Sequence, residues 1–253
     1  NKMKNAQTEQ IFNEVTYVIK PILHRFLGIL TAFALMFTLL ITSVEAVCYW
    51  VPGYYQHEYT KYNVLDNLPS MTMDDLLIVT EEMMAYLRGN REDLHVKTVM
   101  GGEYREFFTE REIAHMEDVQ GLFLAAVFLR RLCLVLILFC IGMIYLTKGN
   151  LRLILPKMLF FGTLLFFGTA AVLGLIISTD FSKYFIIFHH IFFDNDLWIL
   201  DPSVDMLINI VPEPFFMDTA FFILILYGFL ALLVLGISFA LMRKNRLTVH
   251  KKD

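Results

Sequence analysis

Four long apolar runs punctuate the chain: Phe26–Val47, Leu132–Leu146 with its apolar forerunner at 121–129, Met158–Ile177 and Ala220–Met242. A helix needs about 20 apolar residues to cross a hydrocarbon core, and each run approaches or exceeds that length. The segments between them carry other periods. In "SMTMDDLLIVTEEMMAYLRGN", Thr72 is an N-cap with Asp75 three residues on, Gly89 is the stop, and Leu76, Met83, Met84 and Leu87 share a face. That predicts a short amphipathic helix. Next, Leu94, Val96, Thr98 and Met100 alternate with His95, Lys97 and Val99 before Gly101-Gly102 and "EYREFF", which predicts a β-hairpin. Thr109 and Glu112 form a capping box, and no breaker follows before Gly121, so the helix they start should run on into the second span. Arg111, His115, Asp118 and Leu122 lie on one face of it. "KYFIIFHHIFF" predicts an interfacial helix, Asp201-Pro202 and Pro212-Glu213-Pro214 are turn signals, and "SVDMLINIV" between them is one or two amphipathic turns.

The fold class follows: an integral membrane, mainly α protein with four transmembrane helices and a small α+β extracytoplasmic cap. The expected organisation is a cytoplasmic segment at 1–25, spans at 26–48, 158–179 and 219–242, a helix at 110–147 that continues into the second span, a helix-hairpin module at 49–109, a cytoplasmic loop at 148–157, an interfacial cap at 180–218 and a cytoplasmic tail at 243–253. The helix-hairpin module is too small to be stable without the spans beneath it. Residues Tyr49, Trp50, Tyr54 and Tyr55 suit an aromatic belt at the membrane interface. The first span is too long for the apolar core of a signal peptide and has no clear cleavage site, so it is read as retained.

Composition agrees. The chain of 253 residues is 57% hydrophobic with 24 phenylalanines, and mean hydropathy is +0.58. Charge then orients the spans. Lys2, Lys4, Lys20 and Arg25 precede the first, Lys148, Arg152 and Lys157 separate the second from the third, and Arg243, Lys244, Arg246, Lys251 and Lys252 follow the fourth. By the positive-inside rule those regions are cytoplasmic, with both termini. The remaining two are acidic: residues 49–119 carry 14 Asp and Glu against 6 Lys and Arg, and residues 180–218 carry 7 against 1. Arg130 and Arg131 can snorkel to the outer interface. An acidic outer surface argues against nucleic acid as a partner. Nearly uncharged, unbroken spans argue against a transporter.

Candidate chemistry is sparse. Cys48, Cys133 and Cys140 have no metal or disulfide spacing and read as buried small hydrophobes. HExxH, GxSxG and P-loop patterns are missing from the sequence. Ser70, Ser178, Ser182 and Ser203 lack an activating context. Among the histidines, His24 joins a basic flank and His250 a basic tail, His57 and His95 read as solvated, and His190 as a lipid-facing neighbour of His189. A zinc site of His95, His115 and His189 is possible but has no diagnostic spacing. His115 and His189 stand out because each lies in a polar island beside a span, on the same side and at the same predicted depth.

Those islands, "FFTEREIAHMEDV" and "FHHIFFDNDLWILDPSVDMLINIVPEPFF", together with "EYTKYNVL" and "DDLL…MMAYLRG", resemble the four-span Gram-positive membrane proteins of the lipoprotein intramolecular transacylase (Lit) family. The resemblance runs from the first span to the fourth. It implies that His115 and His189 are the essential histidines and lends Asp196, Trp198 and Asp205 to the site. It also implies an acyltransferase without a cofactor or metal, acting as a monomer on diacylglyceryl-modified lipoproteins and membrane lipid. The implied reaction moves the sn-2 acyl chain of an S-diacylglyceryl-cysteine onto its free α-amine, leaving a lyso-form lipoprotein. Ester to amide is downhill and donor and acceptor are already joined, so orientation can supply much of the catalysis. On this reading His115 is the base, Asp118 or Glu112 fixes its tautomer, and His189 donates to the oxyanion or leaving alkoxide; the reverse assignment of the two histidines stays open. Arg111 is a supporting neighbour on the same face. The rival readings are an outer-leaflet phospholipase or esterase, and a non-enzymatic membrane sensor or accessory subunit.

Overall fold

The computed structural model describes residues 2–68 and 70–249, with side chains from Ile19 to Thr248. Of the basic flanks read from the sequence, the side chains of Lys2 and Lys4 and residues His250, Lys251 and Lys252 lie outside the described residues. In chain order the elements are α1 (Lys2–Trp50), α2 (Tyr54–Lys61), a 3-10 turn (Val64–Asn67), α3 (Met73–Leu87), strands β1 (Lys97–Met100) and β2 (Glu103–Glu106), α4 (Glu110–Leu146), α5 (Leu151–Ser178), α6 (Phe181–Phe192), α7 (Leu207–Ile210) and α8 (Glu213–Val249). Four of these are long and apolar enough to cross a membrane: α1 from Ile19 onward, α4, α5, and α8. The protein is thus a mainly helical, multi-pass membrane protein with a small sheet. In α4 the apolar stretch 121–146 alone exceeds the length needed to span, so the polar turns 110–120 precede the span proper.

The chain divides into two compact units, each of which draws on all four long helices. The first comprises Asn1–Leu40, Arg130–Val172 and Leu226–Asp253. It is a helical bundle. Leu27 of α1 packs with Cys140 and Ile144 of α4 in a closed apolar cluster. Gly162 of α5 allows a close crossing with α1, since a Cβ at that position would lie 2.5 Å from the Ala32 methyl. Aromatic edges complete the contacts: Phe166 meets Phe33 at 5.9 Å, and Phe160 meets Phe239 at 6.3 Å. His24 joins the basic flank in sequence, but its ring does not face solvent. It is buried, and its Nε2 lies 2.8 Å from the Thr147 hydroxyl, which ties α1 to the end of α4. Cys133 and Cys140 are buried free thiols, and Cys48 is half-buried.

The second unit comprises Ile41–Leu129 and Leu173–Ile225. Its local elements follow the sequence signals closely. Thr72 caps α3 in a reciprocal capping box with Asp75. At its other end Gly89 takes φ +74°, a left-handed stop that favours glycine. The hairpin pairs Lys97 with Glu106 through Met100 with Glu103, and Gly101 and Gly102, both with positive φ, make its turn. Alternation is as read: Leu94, Val96, Thr98 and Met100 are buried, whereas His95, Lys97 and Val99 are exposed. One reading fails. Of the four aromatics assigned to an interfacial belt, Tyr54 is buried, and it opens the helix α2 that the sequence did not suggest. Tyr54, Glu58 and Tyr59 turn inward at helical spacing, Tyr59 bonding the Thr80 hydroxyl at 2.7 Å and Tyr54 the Thr219 hydroxyl at 2.6 Å.

Candidate active site

Two helices of the second unit carry the central side chains. The capping box predicted for α4 forms: the Glu112 carboxylate accepts the Thr109 N–H at 2.6 Å, and the Thr109 hydroxyl accepts the Glu112 N–H at 3.3 Å. One turn further on is His115, on the inner face of α4. Opposite it, α6 is capped by Asp180, whose carboxylate accepts the Lys183 N–H at 3.1 Å, and carries His189 in its last turn. Both histidines are buried. Their ring centroids stand 6.1 Å apart with the planes tilted by 33°. The structure thus brings the two imidazoles together.

Aromatic rings enclose the pair. Phe193 lies 5.3 Å from His115 and 5.6 Å from His189, and Phe185 sits 4.4 Å from His189. The indole of Trp198 stacks on His189 at 4.7 Å with a tilt of 31°. His190 is exposed and meets only the edge of that indole, at 5.2 Å. Burial among rings disfavours the charged imidazolium. It lowers the pKa of His115 to about 4, with the neighbouring His189 adding to the effect and Asp118 opposing it. His189 is likewise lowered by burial, against the pull of the Phe185 carbonyl. Both rings are therefore neutral at pH 7.

Hydrogen bonds distinguish the two rings. The His189 Nδ1 stands 2.7 Å from the Phe185 carbonyl oxygen. A carbonyl only accepts, so Nδ1 carries the proton in the neutral ring and Nε2 keeps its lone pair. His115 has no such anchor, and its Nδ1 is buried without a hydrogen-bond partner. The sequence reading gave the task of fixing that tautomer to Asp118 or Glu112. Neither takes it. Asp118 accepts from the Asn195 amide at 2.8 Å, and Glu112 accepts the main-chain N–H of Thr109 and of Leu207. A second orphan is the indole Nε1 of Trp198, also buried without a partner. Leaving a buried donor or acceptor unpaired costs about 1–3 kcal/mol, so a bound group that satisfies both atoms is favoured.

The other predicted site residues turn out to be braces. Arg111 donates to the main-chain carbonyl of Asp196, whose own side chain is exposed. Asn195, which the sequence reading overlooked, bonds Asp118 through its amide and accepts the Leu197 N–H at 3.0 Å through its side-chain oxygen. Together these contacts hold the 194–199 loop on α4 and deliver Trp198. Asp205 is buried; it accepts from the Thr109 hydroxyl at 3.0 Å and from the Asp201 N–H at 2.8 Å. Burial pushes the Glu112 carboxyl above its ordinary value despite the main-chain N–H groups that favour its charge. Glu112 and Asp205 thus fasten the start of α4 to the 201–207 segment. An open cleft of about 440 Å³ lined by Thr109, Arg111, Ile199, Asp201, Val204 and Asp205 lies along this seam. His95, the third imidazole of the hypothetical zinc site, is exposed. Among the described residues no group of three His, Cys, Asp or Glu is arranged to hold a metal ion.

The structure therefore defines a four-span helical membrane protein with two buried imidazoles side by side. The model of the family "Lipoprotein intramolecular transacylase Lit" matches residues 29–216, and the chain belongs to that family. The fold is that of the membrane-integral lipoprotein intramolecular transacylase Lit from Bacillus cereus, with a TM-score of 0.73 over 88% of this chain and 98% of that one, at 22% identity. A histidine-to-arginine variant of the same B. cereus protein superposes with a TM-score of 0.74, over 93% of this chain and 99% of that one. An uncharacterized protein from Aquifex aeolicus (strain VF5) is 33% identical over 131 residues. That match spans about half of each protein, 51% of this chain and 55% of the relative.

Proposed function

We propose that this protein is a lipoprotein intramolecular transacylase that moves the sn-2 acyl chain of an S-diacylglyceryl-cysteine to the α-amine of the same cysteine, using His189 and His115 for proton transfer. The observation that carries the reading is the pair of buried imidazoles 6.1 Å apart, held by two different helices. The α-amine attacks the ester carbonyl carbon and a C–N bond forms. The tetrahedral oxyanion collapses, the bond from carbon to the glycerol oxygen breaks, and the proton lost by nitrogen ends on that oxygen. Acyl content is unchanged.

His189 is the better base, which reverses the order first read from the sequence. Its Nδ1–H is committed to the Phe185 carbonyl, which leaves Nε2 to take the amine proton. His115, neutral and without a fixed tautomer, relays that proton to the departing oxygen. The unpartnered Trp198 indole N–H is the donor to the developing oxyanion. The active site faces outward in this proposal, with both termini cytoplasmic, so that the acidic segments meet processed lipoproteins at the outer leaflet.

The test is mass spectrometry of lipoprotein N-termini in a host that lacks other N-acylation. Wild-type protein should convert diacylglyceryl-cysteine to the N-acyl, monoacylglyceryl form with no free fatty acid released. His115→Ala and His189→Ala should abolish the product. Trp198→Phe, which keeps the ring and removes the N–H, should slow turnover about 100-fold. Release of fatty acid in place of N-acylation would make the protein an esterase, and full product from either histidine variant would remove that ring from the mechanism.

A further inference from the structure

In the first unit, a set of cations has no ion-pair partner among the described residues. Lys157 of α5 and Arg246 of α8 flank a groove of about 660 Å³ that also includes Asn245, and whose floor includes Phe160, Phe161 and Phe239. On the other side of Phe239, a second groove of about 530 Å³ is bordered by Arg243 and Lys244. The sequence holds no Asp or Glu in either 147–157 or 239–249. Among the described residues Lys61, Arg88, Arg91 and Lys97 form ion pairs, and these four cations do not. The groove is fixed in place, because the Asn245 amide donates to the Arg152 carbonyl at 2.6 Å and so joins α8 to α5. Its walls are greasy and open: Phe161 is 54% exposed and Phe239 56%.

We infer that Lys157 and Arg246, above the Phe160–Phe161–Phe239 floor, form a seat for an anionic diacyl phospholipid. The headgroup phosphate, with its single negative charge, sits against the two cations and reduces their mutual repulsion. The acyl chains cover the phenylalanines. Both features are needed: an apolar groove alone accepts any lipid, and a bare cation pair accepts free phosphate. Arg243 and Lys244 offer a second, weaker site across Phe239.

Purified full-length protein in detergent is titrated with phosphatidylglycerol, with phosphatidylcholine, or with inorganic phosphate, and melting temperature and retained lipid by native mass spectrometry are recorded. Phosphatidylglycerol should raise the melting temperature and stay bound. Phosphatidylcholine and phosphate at equal concentration should do neither. In the Lys157→Gln/Arg246→Gln double variant the affinity for phosphatidylglycerol should fall roughly thirtyfold. Equal stabilisation by phosphatidylcholine, the full shift from phosphate alone, or an unaltered affinity in the double variant overturns the assignment. Should the double variant fail to fold, the contrast among the three additives on the wild-type protein decides the matter alone.

Discussion

At the scale of single residues, burial sets the protonation state of the site, and a pH profile reads it. An imidazole of ordinary pKa, about 6.5, would begin to protonate just below neutrality. His115 is held down to about 4 and His189 is also lowered, so acidification from pH 7 to 5 leaves His115 neutral and delays the protonation of His189. The substrate amine, with a reference pKa of about 7.7–8, must lose its proton before it attacks. Below that value log kcat/KM should therefore fall with a slope of one, with no second break near pH 6.5, where an ordinary imidazole would titrate. A slope of two setting in near pH 6.5, measured on diacylglyceryl-cysteine peptide in detergent, would mean that a catalytic histidine titrates normally. The histidines themselves were legible in the sequence, because two polar islands beside apolar spans are conspicuous. Their hydrogen bonds were not. Helical spacing put Asp118 and Glu112 within reach of His115, but Asn195 and Leu207, distant in sequence, take those carboxylates instead.

At the scale of elements, Glu112 has the largest predicted effect on stability. It closes the capping box of α4 and also accepts the N–H of Leu207, so one carboxylate joins the start of α4 to α7. It is fully buried. Glu112→Ala leaves two main-chain N–H groups without their acceptor, a loss of about 2–4 kcal/mol. Thermal unfolding in detergent should show a clear drop in melting temperature for Glu112→Ala and little change for Glu110→Ala, which lies in the same first turn of the helix but is exposed. Equal effects would mean that helix-end charge, not the bridge to Leu207, is what matters. The capping boxes, the Gly101-Gly102 turn and the α6 helix were all readable because each rests on neighbours within a few residues. Helix α2 was not. Its sequence, "YYQHEYTK", is polar and aromatic with no apolar stripe, and it holds its place through partners elsewhere: Lys61 and Tyr62 bond Asp218 of α8, and Tyr54 bonds Thr219.

At the scale of the whole molecule, the spans were legible because the bilayer asks for little more than length and apolarity, whereas the side on which each loop lies rests on charge counts alone. The proposed topology puts the β-hairpin outside and the α4–α5 turn inside, which single-cysteine labelling in intact cells tests directly. In a background where Cys48, Cys133 and Cys140 are replaced by Ala, Glu103→Cys in β2 and Asn150→Cys in the turn each add one exposed thiol. A membrane-impermeant maleimide should label Glu103→Cys in whole cells and label Asn150→Cys only after permeabilisation. The reverse pattern would put the acidic segments in the cytoplasm. His115 and His189 belong to the same unit as the hairpin, so the outcome also bears on the active site. A lipoprotein processed after export presents its cysteine amine at the outer leaflet, and an inward-facing imidazole pair could not reach it. Labelling of Glu103→Cys from outside is thus a condition that the proposed chemistry must meet before any kinetic experiment is interpreted.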